Sequence, residues 1–377
     1  MSTGNGKKPP DRVCALLPVS TNAILPLTPL ARLSPKMIDK DYFDPNIKKG
    51  CFINLIIKVF YPAGKSLMNM YNWLLVSGFG SHVKATNTYL TIQKQGVLRD
   101  YPLSKLNNII FIGGHHMNSS VINNSLKAGI HISFFDADYR HTATIHPHRK
   151  LFDPDSNIIQ KDRGSYKYAI EIFRSSLKSR MLFIEELEKR LDTELMYEGE
   201  LDILLCSLNE ADYIIKIDEI RRIHKLTSDM YYEILSRPLK SSLNYRRRIS
   251  AGSPDPVNSM LSTGYSVLYA ICLRIIIKKG IEPDLGIIHE GENGLILDLI
   301  DPIKSLMVDR AVIELAGDLQ EEKDYSYNKN RCYLSANLHD KFISILGKDI
   351  DQNKISEIVS SYKDTVFRNS PFHVPYW

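Results

Sequence analysis

The chain has 377 residues, of which 44% are hydrophobic and 24% are charged. This composition supports a packed core and excludes an intrinsically disordered chain. The formal net charge of +5 is compatible with a protein that binds nucleic acid, although many metabolic enzymes are equally basic.

The cysteines and the apolar runs indicate the cellular compartment and whether the chain crosses a membrane. The five cysteines include no Cys-x-x-Cys pair, which argues against a zinc knot and a disulfide framework and favours a reducing, cytoplasmic location. The most apolar early run, residues 51–60, carries Lys58. It is much shorter than the roughly 20 apolar residues of a spanning helix, so we expect no membrane segment.

The first half of the chain is predicted to be β-rich. Residues 1–70 show no sustained period, and we assign them to an N-terminal extension whose role the sequence does not indicate. From residue 71 to residue 150, short apolar runs alternate with glycine-containing turns, a pattern typical of strands. A short helix is expected from Ser119, with Gly129 as its stop. Strands are predicted at 74–76, 89–93, 108–112, 130–135 and 140–145.

The second half is predicted to be helical. After a polar connection at 147–163, apolar residues recur at steps of three and four. Helices are expected through 169–191, 211–235, 256–280 and 295–315. The third has the clearest start, because Asp255 can cap it and Pro256 suits its first position. We therefore predict an α+β fold, with a small β-rich N-terminal domain (residues 71–150) followed by a larger all-helical domain (residues 164–377).

Residues 280–310 carry the strongest chemical signal. His289 ends an apolar run beside a glycine-rich loop, and Asp298 and Asp301 follow three residues apart on a predicted helix face. Two buried carboxylates on one face repel each other and are costly to desolvate. A divalent cation, with His289 as a nitrogen ligand, would compensate them. The alternative is that the acids pair with nearby basic side chains, such as Arg310, Lys304 or the run beginning at Arg246.

Two sequence blocks resemble the signature of the CRISPR-associated integrase family, Cas1. The block at 253–310 is similar to the family's DP-x-N helix, Gly-x-x-Pro-x-x-Gly-x-x-His turn and DL-x-[ED]-P helix. The matching residues are Asp255, Pro256, Asn258, Gly264, Tyr265, Gly280, Pro283, Gly286, His289, Asp298, Leu299, Asp301 and Pro302. The block at 109–138 is similar to the family's sheet domain. The resemblance spans residues 74–315 and implies that the helical domain holds the active site.

The resemblance also implies a ligand set. In the family, a Glu on an earlier helix, the His and the second carboxylate of the later helix hold a metal. The last two correspond to His289 and Asp301, and Asp298 matches a further acidic position, so these three are the predicted catalytic residues.

The position of the family's Glu is altered in this chain. The family segment Arg-x-x-Glu, with a Tyr seven residues later, reads IRRIHKLTSDMYY here. Arg221 and Tyr231 match, and His224 stands in place of the Glu, on the same helix face as Tyr231. The predicted metal ligands are therefore His224, His289 and Asp301.

This replacement leaves the metal and the activity open. A carboxylate suits Mg²⁺, whereas an imidazole suits ions such as Mn²⁺ better. We expect a divalent ion, Mg²⁺ or Mn²⁺, with Mn²⁺ favoured if His224 is a ligand. The site could instead recruit Glu290 or Glu292, or be degenerate. Glu219 lies about 140° away around the helix and is a poor substitute.

The resemblance implies the substrate and the partners. In the family, the 3′-hydroxyl of a short DNA duplex attacks a phosphodiester in a repeat array. We expect DNA contacts from the basic run Arg246, Arg247 and Arg248, and from the motif residues Arg221, Tyr231 and Asn258. A homodimer, formed through the β-rich domain and bridged by a Cas2 protein, is also implied. The alternatives are a degenerate DNA-binding scaffold and a transposon-borne integrase of the same superfamily.

Overall fold

The computed structural model describes residues 71–147, 160, 166–250, 252–328 and 331–374. These residues all belong to one unit, Lys65–Trp377. The predicted extension at 1–70 lies outside the described residues, and so does most of the predicted connection at 147–163.

The N-terminal part of the described chain forms two four-stranded sheets and one helix. The strands are β1 (Trp73–Ser77), β2 (His82–Ala85), β3 (Tyr89–Lys94), β4 (Val97–Pro102), β5 (Asn108–Ile112), β6 (His116–Met117), β7 (His131–Phe135) and β8 (His141–Ile145). The helix is α1 (Ser119–Lys127). The first sheet has the order β1-β5-β7-β8 and is parallel except for β8, and the second has the order β4-β3-β2-β6.

Strand β5, in the interior of the first sheet, is buried on both faces. Every residue of β5 is buried, because Ile110 and Ile112 face the helical part while Ile109 and Phe111 face the second sheet. A strand covered on both faces reads as a continuous apolar run, without the alternation of a half-exposed strand. The predicted strand at 108–112 is therefore confirmed to the residue.

The C-terminal part is mainly helical. Its helices are α2 (Tyr166–Leu191), α3 (Glu198–Glu210), α4 (Ile217–Ile234), α5 (Pro256–Lys278), α6 (Gly294–Ile300), α7 (Arg310–Ala316), α8 (Ala336–Asp349) and α9 (Gln352–Arg368). A 3-10 turn (Asp301–Ile303) and a π-helical turn (Ser305–Asp309) lie between α6 and α7. The short strands β9 (Tyr325–Asn328) and β10 (Arg331–Leu334) form a hairpin between α7 and α8. The predicted α+β class is confirmed, with this hairpin as an addition to the helical part.

Helix α5 is the central helix of the C-terminal part. Its predicted cap is confirmed, because the Asp255 carboxylate accepts a hydrogen bond from the Asn258 backbone N–H at 2.7 Å and Pro256 takes the first position. Asn108 of β5 donates to the Ala270 carbonyl at 3.1 Å, which joins the sheet to this helix. Among the described residues, α5 is also the one helix apolar and long enough to cross a membrane, but 89% of that apolar window is buried inside the protein.

Two predicted helices differ from the structure. The expected helix at 211–235 begins only at Ile217, and the preceding helix α3 was not predicted. The expected helix at 295–315 is broken after Ile300. The break coincides with Pro302, which has no N–H to donate and therefore cannot continue a regular helix.

Candidate functional site

Three potential metal ligands converge in the helical part. Helix α4 presents His224, the loop before α6 presents His289, and the 3-10 turn presents Asp301. One ligand atom from each lies within 4.8 Å of the others. His224 and Asp301 are buried and His289 is half-buried. The structure thus brings together the three residues that were predicted as metal ligands, although 77 positions separate the first from the last.

Asp301 is held as an anion by two cations. One Arg180 nitrogen lies 3.0 Å from each of its carboxylate oxygens, and Lys304 Nζ lies 2.6 Å from Oδ1. Burial alone would raise the pKa of Asp301, but Arg180 and Lys304 outweigh it and hold the pKa well below its usual value. Of the ion pairs expected as the alternative to metal, the one with Lys304 is present, whereas Arg310 pairs with Glu186.

His224 contacts the same carboxylate directly. Its Nε2 lies 2.8 Å from Asp301 Oδ2, and its ring is nearly perpendicular to that of His289, with centroids 5.4 Å apart. Burial, together with the nearby Arg180 and His289, lowers the pKa of His224 although the neighbouring Asp301 raises it. The imidazole is therefore neutral near pH 7, which is the state that binds a metal.

Asp298 orients His289 and lies outside the three-ligand cluster. Its Oδ1 lies 2.8 Å from His289 Nδ1, and its two oxygens accept the backbone N–H groups of residues 287, 288 and 289. Tyr168 donates to its other oxygen, Oδ2, at 2.5 Å. This contact turns Nδ1 of His289 toward Asp298 and leaves Nε2 as the ring nitrogen available to a metal. Asp298, which was predicted as a further catalytic acid beside Asp301, thus contacts His289, whereas Asp301 contacts His224.

Two glycines shape the loop that carries His289. A Cβ at Gly294 would lie 2.1 Å from the His289 carbonyl oxygen, and one at Gly286 would lie 2.4 Å from the same atom. No side chain fits at these distances, so both positions require glycine. The glycine-rich character of the loop is thus a packing requirement of the site.

The acids considered as replacements for the missing Glu lie elsewhere. Glu290 is exposed and pairs with Arg221 at 2.7 Å, and both Glu292 and Glu219 are exposed. Arg221 also donates to the Ile287 carbonyl at 2.9 Å. Arg221, a predicted DNA contact, thereby braces helix α4 against the histidine loop.

The basic run lies beside the start of α5. Arg246 and Arg247 are exposed, whereas Arg248 is half-buried and donates to Asn258 Oδ1 at 3.1 Å. Asn258 is buried and bonded within the protein, and Tyr231 is buried and donates to Asp309 at 2.7 Å. Neither Asn258 nor Tyr231 lies where DNA could touch its side chain, which corrects their predicted role as direct contacts.

Three site residues escaped the sequence analysis, namely Arg180, Tyr168 and Asp309. Arg180 carried a usable signal, because it lies three residues after Leu177 and four before Ile184, on the apolar face of α2. A charge at a buried helical position requires a partner. Nothing in the sequence indicated that the partner is Asp301, 121 positions away.

Comparison with known sequences points to one family. The family described as CRISPR associated protein Cas1 matches residues 74–348. A Methanospirillum hungatei protein named for the CRISPR-associated endonuclease Cas1 is 34% identical over 282 residues, which cover 74% of this chain and 93% of the relative. A CRISPR-associated endonuclease Cas1 of Archaeoglobus fulgidus is 27% identical over 303 residues, covering 74% of this chain and 88% of the relative.

Solved structures share the fold. A Cas1 protein from Thermotoga maritima superimposes with a TM-score of 0.65 at 17% identity, covering 81% of this chain and 99% of its own. A casposase bound to its integration product gives a TM-score of 0.68 at 18% identity, covering 81% and 96%. A chain of a Cas6-RT-Cas1–Cas2 complex gives 0.66 at 18% identity, covering 82% and 37%.

Proposed function

The chain belongs to the CRISPR-associated Cas1 family, and from that premise we propose that it is a metal-dependent DNA endonuclease and integrase. The reaction is the attack of a DNA 3′-hydroxyl on a phosphodiester of a repeat array, which inserts a short duplex. The observation that carries this proposal is the convergence of His224, His289 and Asp301 within 4.8 Å, at or beside the positions of the family signature.

The donor set fits a divalent ion. It combines one carboxylate held in its anionic form with two imidazole nitrogens, and the burial of His224 and Asp301 excludes much of the competing water. A bound ion would polarise phosphoryl oxygens and stabilise the leaving oxygen. Two nitrogen donors favour Mn²⁺ over Mg²⁺, so we propose Mn²⁺ as the preferred ion.

Several side chains around the proposed ligands orient them, keep them ionised or supply positive charge. Asp298 fixes the ring and tautomer of His289, and Arg180 keeps Asp301 ionised. Lys304 and Arg248, both half-buried, supply positive charge for phosphate groups. The exposed Arg246 and Arg247 extend that charge toward the surface.

The partners follow from the same family. Among the structural neighbours, one Cas1 chain belongs to a complex with Cas2, and a casposase is bound to its integration product. We propose DNA as the substrate, a homodimer formed through the β-rich residues 71–150 as the assembly, and a Cas2 protein as its bridge. Residues 164–377 form the proposed catalytic domain.

A strand-transfer and cleavage assay on branched DNA tests the activity. It compares Mg²⁺ with Mn²⁺ for the wild type, Asp301→Ala and His224→Glu, with Glu314→Gln as an exposed-acid control. We expect the wild type and the control to work with Mn²⁺, Asp301→Ala to be inactive, and His224→Glu to gain activity with Mg²⁺. A wild type that is equally active after Asp301→Ala contradicts the proposed site.

One observation favours a second function, a non-catalytic DNA-binding scaffold. His224, Arg180 and Lys304 already satisfy both oxygens of Asp301 without an ion, so the cluster is stable as a hydrogen-bonded ion network. This alternative predicts a wild type that binds DNA but joins and cuts nothing with either ion, while His224→Glu alone becomes active.

A further inference from the structure

Helix α5 and the π-helical turn approach each other closely at Gly264. A Cβ at this position would lie 2.4 Å from Val308 Cγ1, so only glycine permits the contact. The turn is π-helical over Ser305–Asp309, a conformation that occurs mostly as single turns and frequently at functional sites. As a result, the next residue of α5, Tyr265, lies against the last residue of the turn, Asp309.

Two hydrogen-bonding partners fix the hydroxyl of Tyr265. It donates to Asp309 Oδ1 at 2.5 Å and lies 2.7 Å from the Tyr232 hydroxyl. The other oxygen of Asp309 accepts from Tyr231. Since every oxygen in this group is engaged, the Tyr265 ring is held in one orientation.

Two cations share the ring of Tyr265. The Arg248 guanidinium carbon lies 5.3 Å from the ring centroid, and Lys304 Nζ lies 5.4 Å from it. Both distances are within the range of a cation–π interaction, about 6 Å. The two side chains come from different elements, the basic run and the segment after α6, so the ring is the group that joins them.

Lys304 and Arg248 differ in whether a carboxylate neutralises their charge. Lys304 bonds the Asp301 carboxylate. Within the part of the chain that the structure describes, Arg248 donates to neutral oxygens, Asn258 Oδ1 and the Ile249 carbonyl, and has no carboxylate in an ion pair. Arg248 therefore places a positive charge with no carboxylate partner against the ring and next to the ligand cluster, which is a suitable environment for a phosphate group.

We propose that Tyr265 is a positioning residue, which holds Arg248 and Lys304 as a two-cation clamp for a phosphodiester group of DNA next to the metal centre. This inference rests on the proposed function and adds to it a defined phosphate position. The clamp gives Arg248 a fixed position at the ring. Arg246 and Arg247 are exposed and would contact the DNA backbone without such a fixed position.

The test measures DNA affinity of the full chain against salt concentration, with a chelator present, on a branched duplex. Tyr265→Leu removes the ring, and we expect the slope of log affinity against log salt to fall by about one to two. Tyr265→Phe keeps the ring and should keep the slope. Arg248→Gln and Lys304→Gln should each lower the slope by about one.

Two controls share the surroundings but not the clamp. Tyr232→Phe removes a hydroxyl from the same tyrosine group, and Arg310→Gln removes a cation that pairs with Glu186. Both should retain the wild-type slope. Equal slopes for Arg310→Gln and Arg248→Gln overturn the clamp, because they indicate a general charge effect.

Further outcomes separate this inference from the proposed function. A folded Tyr265→Leu variant with the wild-type slope overturns the clamp and leaves the DNA-binding proposal intact. If Tyr265→Leu does not fold, the two cation variants decide, and unchanged slopes in both overturn the clamp. A wild type that does not bind DNA overturns the clamp and the proposed function together.

Discussion

Asp301 and Asp309 are two fully buried carboxylates, eight positions apart, in contrasting surroundings. Asp301 meets Arg180 and Lys304, whose charges outweigh burial and keep its pKa well below the usual value. Asp309 meets the hydroxyls of Tyr231 and Tyr265, and burial raises its pKa to about 6. Equal burial thus keeps Asp301 an anion and leaves Asp309 a titrating acid. Arg180 and Lys304 contact Asp301 directly and offset its desolvation, whereas at Asp309 the two hydroxyls and the same two cations offset it only in part.

The difference separates Asp301, a proposed metal ligand, from Asp309, which supports an aromatic ring. A metal requires an anionic oxygen at neutral pH, which Asp301 offers and its cations secure. Asp309 instead accepts two hydroxyl hydrogen bonds that hold an aromatic ring. Asp298 is a third case, since backbone N–H groups surround it.

The largest effect is expected at Asp301. Asp301→Asn leaves the buried Arg180 without a counter-charge, and breaking such a pair costs about 3–5 kcal/mol of the free energy of unfolding. Urea unfolding of the metal-free protein measures this loss. A cost below about 1 kcal/mol would show that water reaches the cluster and that Asp301 resembles a surface acid.

The raised pKa of Asp309 should make the free energy of unfolding depend on pH. A folded-state pKa of about 6 against an ordinary value of 3.8 means that its contribution to stability is full below pH 3.8 and is lost as the pH rises through 6. The loss is about 3 kcal/mol at 1.36 kcal/mol per pKa unit. Asp309→Asn removes this dependence, so the wild type should lose stability relative to the variant between pH 4 and pH 6.

Denaturant unfolding across that pH range measures the difference between the two proteins. Asp364→Asn is the control, because Asp364 lies at a half-exposed ion pair with Arg368 and should give a profile parallel to the wild type. Parallel profiles for Asp309→Asn as well would mean that Asp309 is ionised in the fold like any surface acid.

A smaller effect is expected at Asp298. Asp298→Asn weakens the hold on His289 Nδ1–H, and loss of such a supporting carboxylate lowers metal affinity about 10–100-fold. Titration calorimetry with Mn²⁺ measures the change, with thermal unfolding as the check that the variant is folded. Unchanged affinity in a folded variant would show that the loop glycines alone orient His289.

The smallest effect is expected at an exposed pair of an arginine with a carboxylate. Arg190 and Glu314 lie 3.0 Å apart with about half of each side chain exposed, and such pairs contribute about 0–1 kcal/mol. Glu314→Gln should therefore change the unfolding free energy by less than about 1 kcal/mol. A loss of unfolding free energy comparable to that of Asp301→Asn would show that buried and exposed ion pairs contribute equally to the stability of this protein.

Local rules were sufficient for much of the fold. We could predict three features from the sequence: the apolar run of β5, the Asp255–Pro256 start of α5 and the long apolar face of α2. Each depends on neighbours within a few residues. The break at Pro302 and the separate helix α3 were not predicted. The apolar pattern of 295–315 continues across Pro302, so periodicity alone could not locate that break. Helix α3 lies in a stretch for which no helix was predicted.

From the sequence by itself, through its resemblance to the Cas1 family, we predicted that His224, His289 and the two acids after it belong to one site, with a His in place of the family's Glu. Only the tertiary structure decided that Asp298 supports His289 while Asp301 faces His224 and Arg180. The physical reason is that helical spacing defines which face is buried, whereas contacts between elements 77 and 121 positions apart depend on how those faces pack.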